Sequence, residues 1–230
     1  MAQGSAVWGV ILAVGQDQQL ASGTETAFLG IGRRPALAHV LATFEACSEV
    51  EAVVVVAARE RHDDVRALNR RFGAGKLARV VTGFQGRRAS VRAGLEALGE
   101  DAALVVIHDA ARPCVRPEQL AAVIHAARRH GNGVTAVRLT EPVVEASGRA
   151  MKATEGPREG ILWALQTPQC YRRDVLVQAL RAADKKRLKA EDESAALPLI
   201  GQDIRLVPTA SINLRLRVAD DLALAATLLP

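Results

Sequence analysis

Aromatic side chains are scarce in this chain of 230 residues: Phe, Trp and Tyr together make up 3% of it. Proteins that hold single-stranded nucleic acid use aromatic faces to stack bases, so a net charge of +5 and a pI near 9.6 do not point to a nucleic-acid partner. The basic residues are also spread along the chain, where a solvated surface or a small anionic ligand accounts for them. Cysteine is equally sparse. Cys47, Cys114 and Cys170 lie far apart and form no CxxC pair, which excludes a disulfide framework and a closely spaced zinc site, and suits a reducing cytoplasm. No apolar run reaches about eighteen residues and no basic start leads into a long apolar stretch, so neither a membrane span nor secretion is expected.

What is present is the balance of a globular protein, 49% hydrophobic and 24% charged, with a core that must be built from Ala, Val and Leu. Residues 7–14, 53–58 and 104–107 are continuous apolar runs, the pattern of strands buried on both faces. Helical patterns lie between them at 36–46, at 63–72 with Gly73 as a stop, and at 89–98 with Gly99 as a stop. After Arg116 a further helix is well signalled: Pro117 takes its first position, Glu118 its first turn, Arg128, Arg129 and His130 its last, and Gly131 closes it. Residues 134–139 and 204–207 read as strands, 173–183 and 194–200 as helices, and 220–229 as a closing helix with Asp220 and Asp221 at its positive end. Between them, 142–153 holds Ser147-Gly148 between two short runs and reads as a projecting hairpin.

Alternating strands and helices predict an α/β chain with a Rossmann-like, mostly parallel sheet, helices on both faces, and a projecting arm at about 140–160. One domain is expected over 1–230. Ligands bind such sheets at the C-terminal ends of the parallel strands. Segments 15–34, 82–90 and 108–113 are therefore expected along one edge.

His108-Asp109-Ala110-Ala111-Arg112-Pro113 follows one of the apolar runs. A carboxylate at a strand end beside an arginine suits a divalent metal on a polyphosphate, with the arginine neutralising oxygens. On spacing alone the same two residues read rather as a salt bridge that fixes a turn. The hexapeptide resembles the central signature of the 2-C-methyl-D-erythritol 4-phosphate cytidylyltransferases, and the likeness continues in order on both sides. Thr82-Gly83, Arg87, Ser90-Val91 and Gly94-Leu95 resemble that family's Gly-Gly-x-x-Arg-x-x-Ser-Val-x-x-Gly-Leu segment. Leu162-Trp163 and Gln166-Thr167-Pro168-Gln169 are similar to the stretch after its dimer arm, and Asn213-Leu214-Arg215-Leu216 with Asp221-Leu222-Ala223-Leu224-Ala225 to its C-terminal segments.

The resemblance implies a nucleotidyltransferase-like domain, a homodimer built through the arm, and a magnesium-dependent reaction of isoprenoid precursor synthesis. In that reaction the phosphate of a methylerythritol phosphate attacks the α-phosphorus of CTP in line and releases pyrophosphate. The partners implied are CTP and a small phosphorylated polyol, with no nucleic acid and no membrane. The resemblance further implies a catalytic set of Asp109, Arg112 and Arg215, in which Asp109 holds Mg2+ and Arg215 stands for the family's phosphate-binding lysine. It assigns Ala13, Val14, Gly15, Gly83, Arg87 and Ser90 to the nucleotide, the last three framing the cytosine, and Asp192 and Thr167 to the acceptor.

Several charges of that family are replaced. In its first loop Asp17 stands for a glycine and Gln19 for an arginine, and Glu25-Thr26 occupy the place of Pro-Lys. On the acceptor side Glu141-Pro142-Val143-Val144 replace Asp-Thr-Ile-Lys, while Glu159 and Glu191 stand for an arginine and a threonine. Arg33 and Arg34 follow the same first loop, and Arg158 neighbours Glu159. With its phosphate-binding cations reduced, segment 15–34 is expected to be irregular, mobile or collapsed away from Asp109 when no ligand is bound. Two readings follow: a cytidylyltransferase with rearranged cations, or a non-catalytic relative that binds or regulates a partner. A dinucleotide-binding dehydrogenase is disfavoured, because Gly15 is not followed by GxGxxG spacing.

Overall fold

The computed structural model describes residues 6–15, 20, 23–72, 75–84, 86–144, 146–147, 152–153, 161–189, 192–209 and 212–229. In chain order its elements are β1 (Ala6–Leu12), β2 (Gly30–Ile31), β3 (Arg34–Pro35), α1 (Ala36–Ala46), β4 (Ala52–Ala57), α2 (His62–Phe72), β5 (Leu77–Thr82) and α3 (Arg87–Glu96). There follow β6 (Ala102–Asp109), α4 (Pro117–His130), β7 (Asn132–Arg138), β8 (Ala146–Ser147), β9 (Lys152–Ala153), β10 (Trp163–Arg172), α5 (Arg173–Lys185), β11 (Leu206–Pro208) and α6 (Ala219–Leu228). Short 3-10 helices cover Thr26–Phe28, Arg59–Arg61 and Glu193–Ile200.

Seven strands form one sheet in the order β11-β7-β10-β6-β1-β4-β5. All neighbours are parallel except β10, which runs antiparallel to both β6 and β7. The apolar runs are continuous because successive side chains alternate between two buried faces. Val53, Val55, Leu104 and Val106 pack with Leu37, Phe44, Leu120 and Ile124 of α1 and α4. Val54, Val56, Val105 and Ile107 pack on the other side with Val91, Leu95, Leu176 and Leu180 of α3 and α5. Those helices present buried residues three and four apart, as Leu176, Ala179, Leu180 and Ala183 do on α5. Pro117 starts α4, and Gly131 ends it with φ of 84°, a left-handed conformation that a side chain would strain.

Two strands escape the sequence pattern. Strand β5 is a half-exposed edge, and β10 contains Gln166-Thr167-Pro168-Gln169, polar residues that no strand template selects. Segment 15–34 also differs from expectation over its described second half. A 3-10 turn at Thr26–Phe28 leads into the β2–β3 pair, so this part is ordered by its own backbone pairing. The β8–β9 pair forms the expected hairpin and is separate from the main sheet. Because β1, β4, β5 and β6 are mutually parallel, the loops after β1, β5 and β6 share one edge.

Candidate active site

Asp109 is the last residue of β6 and only 2% exposed. The tight turn beyond it is held by Arg112 N donating to Asp109 O at 3.0 Å and by Ala110 N donating to Leu12 O at 2.8 Å. Ala110 and Ala111 are fully buried in this turn, which leaves no room for larger side chains. His108 faces inward, with Nε2 lying 3.1 Å from Arg112 O. A carbonyl can only accept, so that nitrogen carries the proton. Burial, only partly opposed by Asp109, lowers the imidazole to about 4 and keeps it neutral. His108 is therefore a brace for the turn.

Three guanidinium groups face the Asp109 carboxylate. Arg87 Nη1 donates to Oδ1 at 2.7 Å, while Arg112 Nε and Arg215 Nη2 each lie 3.8 Å from Oδ2. Burial pushes this carboxyl up, but Arg87, Arg215 and Arg112 together outweigh it and leave it at about 2. The backbone N–H of Asp109 donates to Thr167 Oγ1 on β10 at 3.1 Å. Arg112 reaches across to the C-terminal segment, where Nη1 donates to Asn213 O at 2.9 Å, and Asn213 Nδ2 donates to Thr167 O at 2.6 Å. The catalytic set and Thr167 are thus brought together, with Asn213 as the tie between them. Beside them opens a cleft of about 540 Å³ whose lining includes Arg112, Gln166, Asn213, Arg215, Arg217 and Asp221.

The nucleotide-side residues divide into two groups. Gly83 stands where the β5 loop meets the β1 loop: a Cβ added to it would lie 2.2 Å from Val14 and 2.7 Å from Val56. Only glycine allows that approach. Ser90 Oγ accepts from Phe84 N at 2.9 Å and donates to Phe84 O at 2.8 Å, so its hydroxyl shapes this loop. Gly15, with φ of 115°, begins the loop after Ala13 and Val14. Arg87 behaves otherwise than expected for a residue that frames a base. Its Nε and Nη2 donate to both oxygens of Glu193 at 3.0 to 3.1 Å, and its Nη1 to Asp109. The physical reason is burial: a guanidinium removed from water requires carboxylate partners.

Glu193 is the residue that sequence reading missed. It opens the 3-10 helix after Asp192 and is 4% exposed. Burial raises its carboxyl to about 6, because Arg87 faces it alone while Asp192 and Asp109 oppose its charge. Two carboxylates on one guanidinium are therefore driven apart, one low and one high. Asp192, expected toward the acceptor, accepts from Gln169 Nε2 at 2.6 Å and from Ser194 N at 2.8 Å. Tyr171 Oη in turn donates to Gln169 Oε1. The spacing Asp192-Glu193-Ser194 marks a helix start, and nothing in it identifies Arg87 as the partner.

Asp109, expected to hold Mg2+, has its oxygens faced by Arg87, Arg112 and Arg215. Of the replaced charges, Asp17, Gln19, Glu159 and Glu191, together with Arg158, lie outside the described residues. Thr26 is fully buried, and Glu25 is paired at 2.7 Å with Arg61, whose guanidinium lies 4.7 Å from the Phe28 ring centre. Arg34 lies 5.4 Å from the ring centre of Phe72 on α2, and Arg33 is exposed.

A sequence profile of the 2-C-methyl-D-erythritol 4-phosphate cytidylyltransferase family matches residues 7–230. The "Bifunctional enzyme IspD/IspF" of Desulforudis audaxviator is 37% identical over 96% of this chain, which spans 56% of that protein. The cytidylyltransferase of Pelotomaculum thermopropionicum is 33% identical over 95% of this chain and 92% of its own length. Among solved structures, the cytidylyltransferase of Thermus thermophilus superposes with a TM-score of 0.72 at 28% identity, covering 96% of this chain and 97% of the other.

Proposed function

We infer from the site that this chain, which belongs to the 2-C-methyl-D-erythritol 4-phosphate cytidylyltransferase family, transfers CMP from CTP to a methylerythritol phosphate-type acceptor in isoprenoid precursor synthesis. One acceptor phosphate oxygen forms a bond to the α-phosphorus of CTP as the bond to the bridging oxygen breaks, and pyrophosphate leaves with the electron pair. No covalent intermediate is needed, so the protein's task is to hold both anions in line and offset developing charge. The observation that carries this reading is the convergence of Arg112 and Arg215 with Asp109 beside an open cleft. The two arginines offset charge on the reacting phosphates, with Asp109 and Asn213 fixing where they stand. Ala13, Val14, Gly15, Gly83 and Ser90 shape the nucleotide side through their interlocked loops. Magnesium in this reading is part of the substrate, as its complex with the triphosphate.

The test is pyrophosphate release from CTP, magnesium and methylerythritol phosphate. Release that requires the acceptor supports the reading, and its absence at millimolar substrates overturns it. The non-catalytic alternative draws on one observation: the position of the family's first-loop lysine is a buried threonine, Thr26. That reading survives only if magnesium-CTP binds without turnover or does not bind at all.

We also propose a homodimer through the arm. The β8–β9 ribbon has only two strands, too few to be stable alone, and Leu139, Val144 and Ile161 near its base are 39%, 45% and 62% exposed. Sedimentation at twice 24.5 kDa supports this assembly, and a monomer rejects it.

A further inference from the structure

We propose that Glu193 is a positioning residue for Asp109, acting through Arg87. For its catalytic consequence this rests on the transferase reading above. Arg87 stands at the start of α3, and its long side chain turns freely unless its planar head is gripped. Glu193 grips it along one edge, with Nε and Nη2 donating to the two carboxylate oxygens in a fork. That hold fixes both the place and the plane of the guanidinium. The remaining Nη1 is then aimed at Asp109 Oδ1, 2.7 Å away.

The three side chains come from α3, the end of β6 and the helix Glu193–Ile200, and are 12%, 3% and 2% exposed. Little water reaches them to substitute for a lost partner. Asp109 does not need Glu193 for neutralisation, because three arginines already face it. Glu193 adds a buried negative charge beside Asp192, an arrangement that costs desolvation energy. What it contributes is direction. With Arg87 fixed, one oxygen of Asp109 is held while the other faces Arg112 and Arg215, two of the cations that line the cleft. Without Glu193, Arg87 loses the fork that fixes the plane of its guanidinium, and its hold on Asp109 Oδ1 loses direction.

The decisive comparison uses Glu193→Gln, Glu193→Asp, Arg87→Lys and the double variant Glu193→Gln with Arg87→Lys, each first checked by thermal melting. Two quantities are measured: water exchange of the Arg87 Nε–H by 15N NMR, and kcat and KM for pyrophosphate release from magnesium-CTP and methylerythritol phosphate. For Glu193→Gln the expected result is faster Arg87 exchange, by about tenfold or more, and a kcat lower by about a hundredfold with KM changed less. Glu193→Asp should recover part of both. The double variant should be no worse than Arg87→Lys alone, since both changes break one chain of contacts. Unchanged Arg87 exchange in Glu193→Gln, or losses that multiply in the double variant, overturns the inference. Should Glu193→Gln fail to fold, Glu193→Asp is read by the same two quantities. A parent protein without turnover overturns the transferase reading instead, and the exchange measurement then decides the role of Glu193 by itself.

Discussion

Two neighbouring stretches of the same sheet edge handle charge in opposite ways. At the end of β6, Asp109 and Glu193 are buried and bound to Arg87, with Arg112 and Arg215 turned toward the cleft. After β1, the described charges turn away from that centre: Glu25 pairs with Arg61 and Arg34 packs over Phe72, while Thr26 is enclosed. The difference is one of construction. A buried ion cluster needs every member, because a charge left unpaired in the interior is costly. A half-exposed pair such as Glu25 and Arg61 contributes little, and its members can be replaced one at a time. The departure at Glu25, whose pair with Arg61 is half-exposed, therefore costs little, while the β6 end keeps the family's hexapeptide.

The comparison breaks most sharply at Asp109. Asp109→Asn keeps the shape but leaves Arg87, Arg112 and Arg215 with one carboxylate fewer, and should lower unfolding free energy by about 3 to 5 kcal/mol in urea titrations. A loss under about 1 kcal/mol would mean that the cluster is as dispensable as a surface pair. Next in size is Thr26→Lys, the change that restores the family's lysine. Because Thr26 is fully buried, a longer side chain should cost about 3 kcal/mol through overpacking. Gln19→Arg, made alone, should tighten magnesium-CTP binding in calorimetry without lowering the melting temperature. Equal tightening by both changes with no loss of stability would show that the loop opens readily.

The smallest effect is one of pH. Glu193 titrates near 6 in the folded protein, above the ordinary glutamate value, so the native state holds its proton longer than the unfolded chain. Its contribution is therefore present below about pH 4.5 and lost as pH rises through 6, by roughly 2 kcal/mol at 1.36 kcal/mol per unit. Asp109, held at about 2, acts with the opposite sign: its contribution is present above the ordinary aspartate value and lost as pH falls from about 4 toward 2. Melting curves of the parent against Glu193→Gln between pH 4.5 and 7 should diverge as pH rises. Parallel curves would mean that Arg87 neutralises Glu193 as fully as it does Asp109.

Much of this was legible in the chain, and the rest was hidden for physical reasons. The strands β1, β4 and β6 announce themselves because both of their faces are covered, so no polar residue interrupts them. Strand β10 does not, because Thr167 and Gln169 belong to the hydrogen-bond network of the site and replace the apolar signal just where the strand is most central. The hexapeptide that ends β6 and turns beyond it identifies its own surroundings, since Asp109 and Arg112 are three residues apart and meet in one turn. Glu193 and Arg87 are 106 positions apart, and no local spacing connects them.

The place of β10 in the sheet also sets an order of assembly. Thr167 comes to stand under Asp109 only when residues 163–172 slide between β6 and β7, two strands completed earlier in synthesis. Until then both present open backbone edges to any passing strand, and the pairing that closes them spans a long loop of chain, which makes it slow. A nascent chain halted before this insertion would hold Asp109 and Arg112 but lack Thr167, Glu193, Asn213 and Arg215, and so only part of its site. The last third of the polypeptide therefore acts as a keystone: the fold becomes safe from aggregation and competent for chemistry in the same event.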